Sequence, residues 1–190
     1  MKEIDTDVII IGSGLVGLVA AHCLSLLNYK VVLIDKKSFT KTNSTIKDTR
    51  TVAISEGSKE FLESLSLWDG LKKYAEPIKT IKVFDRTPLN KVLFNNYIKD
   101  KKLGYVIENS IFSRVLRDKL IKRNQIEILN GYKVTKILSD NNFSKIYLKD
   151  KTINSKLIIA ADGKNSSVRK VVGDKLFQKI YTESALVLNF

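Results

Sequence analysis

Val8-Ile9-Ile10-Ile11-Gly12-Ser13-Gly14-Leu15-Val16-Gly17, followed by Val31-Val32-Leu33-Ile34-Asp35, decides the fold of this chain. Asp7 to Ile11 reads as a short buried strand by the unbroken apolar run from Val8. Leu15 to Leu27 reads as a helix, apolar nearly all round and so expected to be well covered, with Asn28 as its left-handed C-terminal residue. Val31 to Ile34 is a second buried strand, ended by Asp35. Two buried strands joined by one helix predict a parallel pair with a right-handed crossover. Gly12 permits the tight turn out of the first strand, Gly14 lets a pyrophosphate approach the backbone, and Gly17 lets helix and strand pack closely. The helix N-terminus supplies free N–H groups and partial positive charge. Asp35 stands 18 residues after Gly17, where a carboxylate accepts hydrogen bonds from both ribose hydroxyls and repels a 2′-phosphate. The expected ligand is therefore the ADP part of a dinucleotide other than NADP; a ligand-free βαβ unit is the plainer reading.

Composition bounds the rest. The chain has 190 residues, 44% hydrophobic and 28% charged, enough for one domain and part of another. It contains no run of the roughly 18–20 apolar residues that span a bilayer. Acids at Glu3, Asp5 and Asp7 precede the first apolar run, the wrong charge for a signal peptide. Cys23 is the only cysteine, which excludes a disulfide framework and points to a reducing cytoplasm. The net charge is +13, but only six of the basic residues are Arg, and no Arg–aromatic cluster reads as nucleic-acid binding. Solvated surface explains the charge, with an anionic membrane surface as the expected partner if it has one.

Further along, residues 36–50 read as a loop. Ser55 is the N-cap of a helix reaching Leu65, and a short helix follows near Trp68–Tyr74. Pro77 breaks the chain. Ile78–Phe84 and Lys91–Phe94 alternate like strands of a separate antiparallel sheet. Asn109–Lys122 is helical, with Phe112, Val115, Leu116 and Leu120 on one face. Strands are expected at Ile126–Leu129, Val134–Leu138, Lys145–Leu148 and Lys156–Ala161, with a hairpin across residues 140–142. A helix from Ser166 to Val172 precedes Gly173, and Leu186–Phe190 reads as a beginning strand.

Two further motifs carry a resemblance. They are Asp48-Thr49-Arg50-Thr51-Val52-Ala53-Ile54-Ser55 and, after a buried strand, Ala161-Asp162-Gly163-Lys164-Asn165-Ser166-Ser167-Val168-Arg169. With the glycine motif they resemble the single-component flavoprotein aromatic hydroxylases across essentially the whole chain. Asp48–Ser55 and Leu103-Gly104-Tyr105-Val106-Ile107-Glu108-Asn109 are most similar to the ubiquinone-biosynthesis branch, whose members hydroxylate polyprenylated phenols.

The resemblance implies an α/β fold: a Rossmann-like FAD-binding domain with a parallel sheet, plus part of a mainly antiparallel substrate-domain sheet. It divides the chain into FAD-binding residues 1–76 and 105–175, substrate-domain strands 77–104, and a truncated substrate-domain start at 176–190. It implies that Gly12, Ser13, Gly14, Leu15, Val16, Gly17, Asp35 and Lys36 hold the ADP half of FAD. Arg50 reaches the pyrophosphate or the flavin side, Asn109 lies near the flavin, and Val134 meets the adenine. Asp162 and Gly163 serve FAD and NAD(P)H binding, and Arg169 closes that motif. Read as residues alone, Arg50 also fits a solvated loop, Asp162 a plain Asp-Gly turn, and Arg169 a partner for its own helix end. NAD(P)H is the implied co-substrate, and O2 and a polyprenylated phenol are the implied substrates. Because the flavin carries the chemistry, no acid, base or nucleophile is nominated as catalytic, and no metal site is expected.

Complete members are about twice as long and carry a later Gly-Asp motif, so a truncated or split form is expected. It would be completed by a C-terminal chain or a multi-enzyme complex, in the cytoplasm or at the inner face of the cytoplasmic membrane. Two other readings stand beside the hydroxylase: an inactive nucleotide-binding remnant or partner-binding module, and an FAD-dependent prenyl reductase. His22, the only histidine, reads as a packed helix residue; Cys23 reads as core, and Arg114, Arg117, Lys119 and Lys122 as a solvated helix face.

Overall fold

A computed structural model describes residues 2–37, 50–85, 87–95, 102–140, 142–173, 177, 179 and 181–188. Most of the expected 36–50 loop, with Asp48 and Thr49, lies outside them. The elements in chain order are β1 Lys2–Asp5, β2 Val8–Ile11, α1 Leu15–Leu26, β3 Val31–Asp35, β4 Thr51–Ser55, α2 Glu56–Ser64, α3 Trp68–Leu71 and a 3-10 turn Lys72–Tyr74. Next come β5 Glu76–Ile78, β6 Thr80–Asp85, β7 Thr87–Asn95, β8 Gly104–Glu108, α4 Asn109–Leu120 and β9 Ile126–Asn130. The last are β10 Lys136–Ser139, β11 Ser144–Tyr147, β12 Lys151–Ser155, β13 Leu157–Ala160 and α5 Ser167–Val172.

The parallel sheet has the order β13-β2-β3-β9. Its two central strands are buried on both faces, which is why they read as unbroken Val/Ile/Leu runs. Val8, Ile10, Val31 and Leu33 point to one side and pack with α1 (Leu18, Ala21) and α4 (Phe112, Leu116, Leu120). Ile9, Ile11, Val32 and Ile34 point to the other side and pack with Ile146, Leu148 and Ile153 of the neighbouring sheet. That second sheet has the order β1-β12-β11-β10. The result is three layers: helices, parallel sheet, mostly antiparallel sheet. Ile10 and Leu33 are fully buried, and each such side chain stabilises the fold by about 1.5–3 kcal/mol relative to exposure.

α1 follows the expected bounds to within a residue, and Asn28 has the expected positive φ of 63°. Its cover is one-sided, however. Gly17, Leu18, Ala21, His22 and Ser25 are buried, whereas Val16 is 72% exposed: the helix rests on one sheet and one partner helix, and its outer face meets no other described element. His22 packs as expected, 2% exposed, with its Nε2 3.1 Å from the Leu65 carbonyl oxygen.

Other boundaries moved. Residues 51–55, read as a run into a helix, form β4, which pairs with β8 (Thr51 with Glu108, Ser55 with Gly104). Ser55 still caps α2, its hydroxyl accepting from the Ser58 N–H. Pro77 does not break the chain but sits in β5, an edge strand of the β4-β8-β5 sheet, where its missing N–H costs no ladder bond. The strand expected over Ile78–Phe84 is therefore split between β5 and β6. β6 and β7 form a separate hairpin whose described side chains are largely exposed. Of the strand expected at Leu186–Phe190, residues 189–190 lie outside the described residues, and Leu186–Leu188 are exposed and pair with no described element.

Two predictions test this packing. A β-carbon at Gly17 would lie 1.9 Å from the Gly12 carbonyl oxygen. Gly17→Ala should therefore cost about 2–3 kcal/mol, read as a lowered urea midpoint; a variant as stable as the parent would contradict the packing. Second, burial pushes the His22 pKa below its ordinary 6.5, against the opposing pull of the Leu65 hydrogen bond. As pH falls through 6.5 the unfolded chain takes up the proton first, so the fold loses stability until the buried imidazole also protonates. The melting temperature should fall between pH 7.5 and 5.5 in the parent and fall less in His22→Gln. Equal slopes would remove His22 as the cause.

Candidate cofactor-binding site

Three parallel strand ends build the site. Gly12, just after β2, donates its N–H to the Ile34 carbonyl, and Ala161, just after β13, donates to the Ile11 carbonyl, each at 2.7 Å. Gly12 has φ +106°, and a β-carbon there would lie 2.4 Å from the Ala161 carbonyl oxygen. The glycine turn, Asp35 and residues 161–163 are thereby forced together at the carboxyl ends of the sheet, the place where open α/β sheets bind ligands. α1 begins here at its N-cap Gly14, which has no side chain to cap the helix. Its terminal N–H groups therefore face the opening, and no atom stands within 4 Å of where a Gly14 β-carbon would be.

The β4–β8 pair delivers two more candidates. The Asn109 N–H donates to the Arg50 carbonyl at 2.9 Å, so residues far apart in sequence become neighbours. β9 delivers another set: Asp35 pairs with Asn130, and the Tyr132 N–H donates to the Asp35 carbonyl at 3.0 Å, which places Val134 beside the same opening. The outcome is one cleft of about 790 Å3 lined by Gly12, Ser13, Gly14, Asp35, Lys36, Arg50, Asn109, Val134, Asp162 and Gly163. Leu15, Val16, Gly17 and Arg169 are not among its lining residues. Leu15 packs against the helical core, Gly17 is spent on the α1–β2 contact, and Val16 and Arg169 line an adjoining cleft that shares residues 161–164.

Asp35 is already oriented. Its Oδ2 accepts from the Ser13 N–H at 2.8 Å and the Ser13 hydroxyl at 2.5 Å, and its Oδ1 accepts from the Lys37 N–H at 2.8 Å. Burial opposes its charge, but the hydrogen bonds from Ser13 and Lys37 and the Lys37 charge outweigh burial and hold the carboxyl below the usual range. A carboxylate offers about four acceptor positions, so three are taken. Both ribose hydroxyls, as read from the sequence, can bind only if the Ser13 hydroxyl gives way.

Asp162, which the resemblance places in the cofactor site and the residues alone also fit as a turn, lines the cleft and binds its own chain. Its Oδ2 accepts from the Ser167 and Val168 N–H groups at 2.5 and 3.2 Å and from the Ser167 hydroxyl at 3.0 Å. Burial works against ionisation here too, and hydrogen bonds from Ser166, Val168 and Ser167 lower the pKa nonetheless. The carboxylate thus ties the start of α5 to the end of β13, with Gly163 at φ +80° between them.

Sequence reasoning missed Arg117. Taken as part of a solvated face, it instead lines the main cleft with Ser113, Tyr132, Lys133 and Lys37; Arg114 and Lys122 remain exposed. Lys119 turns aside and donates to the Ser66 carbonyl. The overlooked signal was spacing: Asn109, Ser113 and Arg117 recur every four residues.

The family model described as FAD binding domain matches residues 5–190. The chain belongs to the FAD-binding-domain family. It is similar to the ubiquinone biosynthesis monooxygenase COQ6 of Dictyostelium discoideum, 29% identical over 95% of this chain and 42% of that protein. It is also similar to the ubiquinone hydroxylase UbiL of Rhodospirillum rubrum, 29% identical over 96% of this chain and 43% of that one. The solved p-nitrophenol 4-monooxygenase of Pseudomonas putida superposes on 91% of this chain with a TM-score of 0.73 at 23% identity, over 44% of its own length; this is a likeness of fold. The chain thus spans less than half the length of these relatives.

The cleft fits the family's cofactor. Room at Gly14, an exposed helix N-terminus and an oriented acid at Asp35 suit a pyrophosphate with its ribose. Asn109 lines the cleft, and its Oδ1 is buried with no donor among the described residues. Such an orphan is costly to leave unpaired, and a ligand N–H or O–H would satisfy it.

Asp162→Ala should cost about 1–2 kcal/mol, the range of a lost helix cap, and should speed hydrogen exchange at the Ser167 and Val168 amides. Unchanged exchange there would show that the carboxylate does not hold α5.

Proposed function

We propose that the chain is the FAD-holding portion of an NAD(P)H-dependent monooxygenase that hydroxylates the ring of a polyprenylated phenol in ubiquinone biosynthesis. The supporting observation is one cleft that joins the glycine turn, Asp35, Arg50, Asn109 and Asp162-Gly163 in a chain whose relatives include ubiquinone hydroxylases. On this reading residues 77–104, with the exposed β6–β7 hairpin, belong to the substrate-binding part, and residues 176–190 begin its continuation.

Bound flavin, reduced by NAD(P)H, would supply the activation of O2 and the transfer of one oxygen atom to the ring. The protein's share is placement. The first N–H groups of α1 take the pyrophosphate, where the helix dipole favours negative charge. Asp35 receives a ribose hydroxyl at its remaining acceptor position. Arg50 and Asn109, side by side at the other end of the cleft, serve the flavin side, with Asn109 Oδ1 accepting from the cofactor. Asp162 acts by fixing Gly163 and the α5 start along the cleft wall. Lys36, Lys37, Arg50, Arg117, Lys133 and Lys164 line the same cleft against two acids, Asp35 and Asp162, a balance that favours a dianionic pyrophosphate.

A nucleotide-binding unit without turnover is the second reading, favoured by a cleft whose glycine turn, oriented Asp35 and basic lining all serve binding. Among the described residues no helix is long and apolar enough to cross a membrane. Contact with a bilayer-borne substrate would then be peripheral, with the +13 net charge attracting anionic lipid.

The purified chain should bind FAD and show a flavin absorbance spectrum. Asp35→Ala should weaken binding about tenfold, and raising the salt from 0.05 to 0.5 M should weaken it further through screening. A chain that cannot be reconstituted with FAD overturns the proposal. Bleaching by NAD(P)H with oxygen uptake on adding a prenylated phenol supports the hydroxylase; FAD binding without such uptake supports the second reading.

A further inference from the structure

We propose that Arg117 is a positioning residue for the adenosine half of the cofactor, and that it makes the cleft select a flavin dinucleotide over a mononucleotide. The inference rests on the FAD reading above and extends it to a residue outside the recognised motifs.

The argument begins with the register of α4. Phe112, Leu116 and Leu120 recur every four residues and are buried in the helical core. Shifted by one residue, Asn109, Ser113 and Arg117 form a second stripe with the same spacing, and all three line the cleft. Residues four apart share a helix face, so α4 runs along the cleft as one wall. Eight residues at 1.5 Å each separate the ends of the stripe by about 12 Å. The two ends meet different partners. Asn109 joins Arg50 through the N–H to carbonyl bond, while Arg117 lies within electrostatic reach of Asp35. Asp35 marks the ribose of the ADP half, so Arg117 stands at the adenosine end and Asn109 at the flavin end.

The surroundings of Arg117 suit this role. Burial lowers its pKa, while Asp118 and Asp35 pull it upward, so a partly desolvated cation lines the same cleft as an oriented carboxylate. A planar guanidinium lies flat against an aromatic base and donates in a fork to phosphate or carboxylate. FMN lacks the adenosine, so it gains nothing from this end of the cleft.

The test is a fluorescence titration of the 190-residue chain with FAD and with FMN, and displacement of FAD by ADP. Arg117→Met should weaken FAD and ADP about tenfold and leave FMN within twofold of the parent. Arg114→Met, on the exposed face of the same helix, should leave FAD and ADP unchanged. Arg117→Lys keeps the charge without the planar fork; it should weaken FAD about threefold with FMN unchanged, and it carries the test if the methionine variant does not fold. FAD binding at the parental level in Arg117→Met, or equal proportional loss of FAD and FMN in either variant, overturns the proposal. A parent chain that binds neither FAD nor ADP overturns the FAD reading itself, a result distinct from the first two.

Discussion

Two glycines are pressed against backbone at the first turn of the chain, and the rest of the site hangs on that contact. A β-carbon at Gly17 would meet the Gly12 carbonyl oxygen, and one at Gly12 would meet that of Ala161. Real β-carbons do not approach backbone so closely, so only hydrogen at both positions lets α1, the end of β2 and the end of β13 converge. Convergence sets everything downstream. It brings Asp162 next to Gly12 and exposes the α1 N–H groups at the carboxyl end of the sheet. It also fixes the distance from there to Asp35, which follows from the β2–β3 register pairing Ile11 with Ile34. The glycine motif is therefore first a packing device, and its place in the cleft lining follows from the packing.

The second constraint is that the parallel sheet must be covered twice. Alternate residues of β2 and β3 face opposite ways, and both sets are apolar. One set requires α1 and α4, the other the β1-β12-β11-β10 sheet. Covering the first face places α4 alongside the cleft, so the helix that completes the core also supplies a polar wall. The cleft wall here is the margin of an element whose position is set by hydrophobic burial, the dominant favourable term in folding.

Legibility in the sequence follows the same division. β2, α1 and β3 are readable because their signals are local: an unbroken apolar run, a glycine motif and a terminal acid within 35 residues. The core face of α4, the Ser55 cap and the Asn28 turn are readable for similar reasons. β1 is not, because Lys2-Glu3-Ile4-Asp5 has neither alternation nor β-branched richness; it becomes a strand by pairing in parallel with β12, from Lys151 onward. β4 is hidden because Thr51–Ser55 runs directly into a capped helix, and its partner β8 begins only at Gly104, beyond the intervening helices and strands α2 to β7 in sequence. Arg117 is hidden because a helical wheel separates apolar from polar and says nothing about which polar stripe meets solvent and which meets a cleft.

The two acids of the site show what the sequence could not convey about charge. A motif reading assigns each a free carboxylate waiting for a ligand. In the fold, Asp35 is held by Ser13 and Lys37, and Asp162 by Ser167 and Val168. Orientation is thus set during folding, and a ligand does not have to immobilise those side chains when it binds. The two differ in what remains. Asp35 keeps one acceptor position on Oδ1 and can touch a ribose directly. The Asp162 Oδ2 is committed to three donors, and that oxygen ties the start of α5 to the end of β13. The two acids are thus held by different elements, Asp35 by the glycine turn and the residues after β3, Asp162 by the start of α5, although both close an apolar strand in the same way in the sequence.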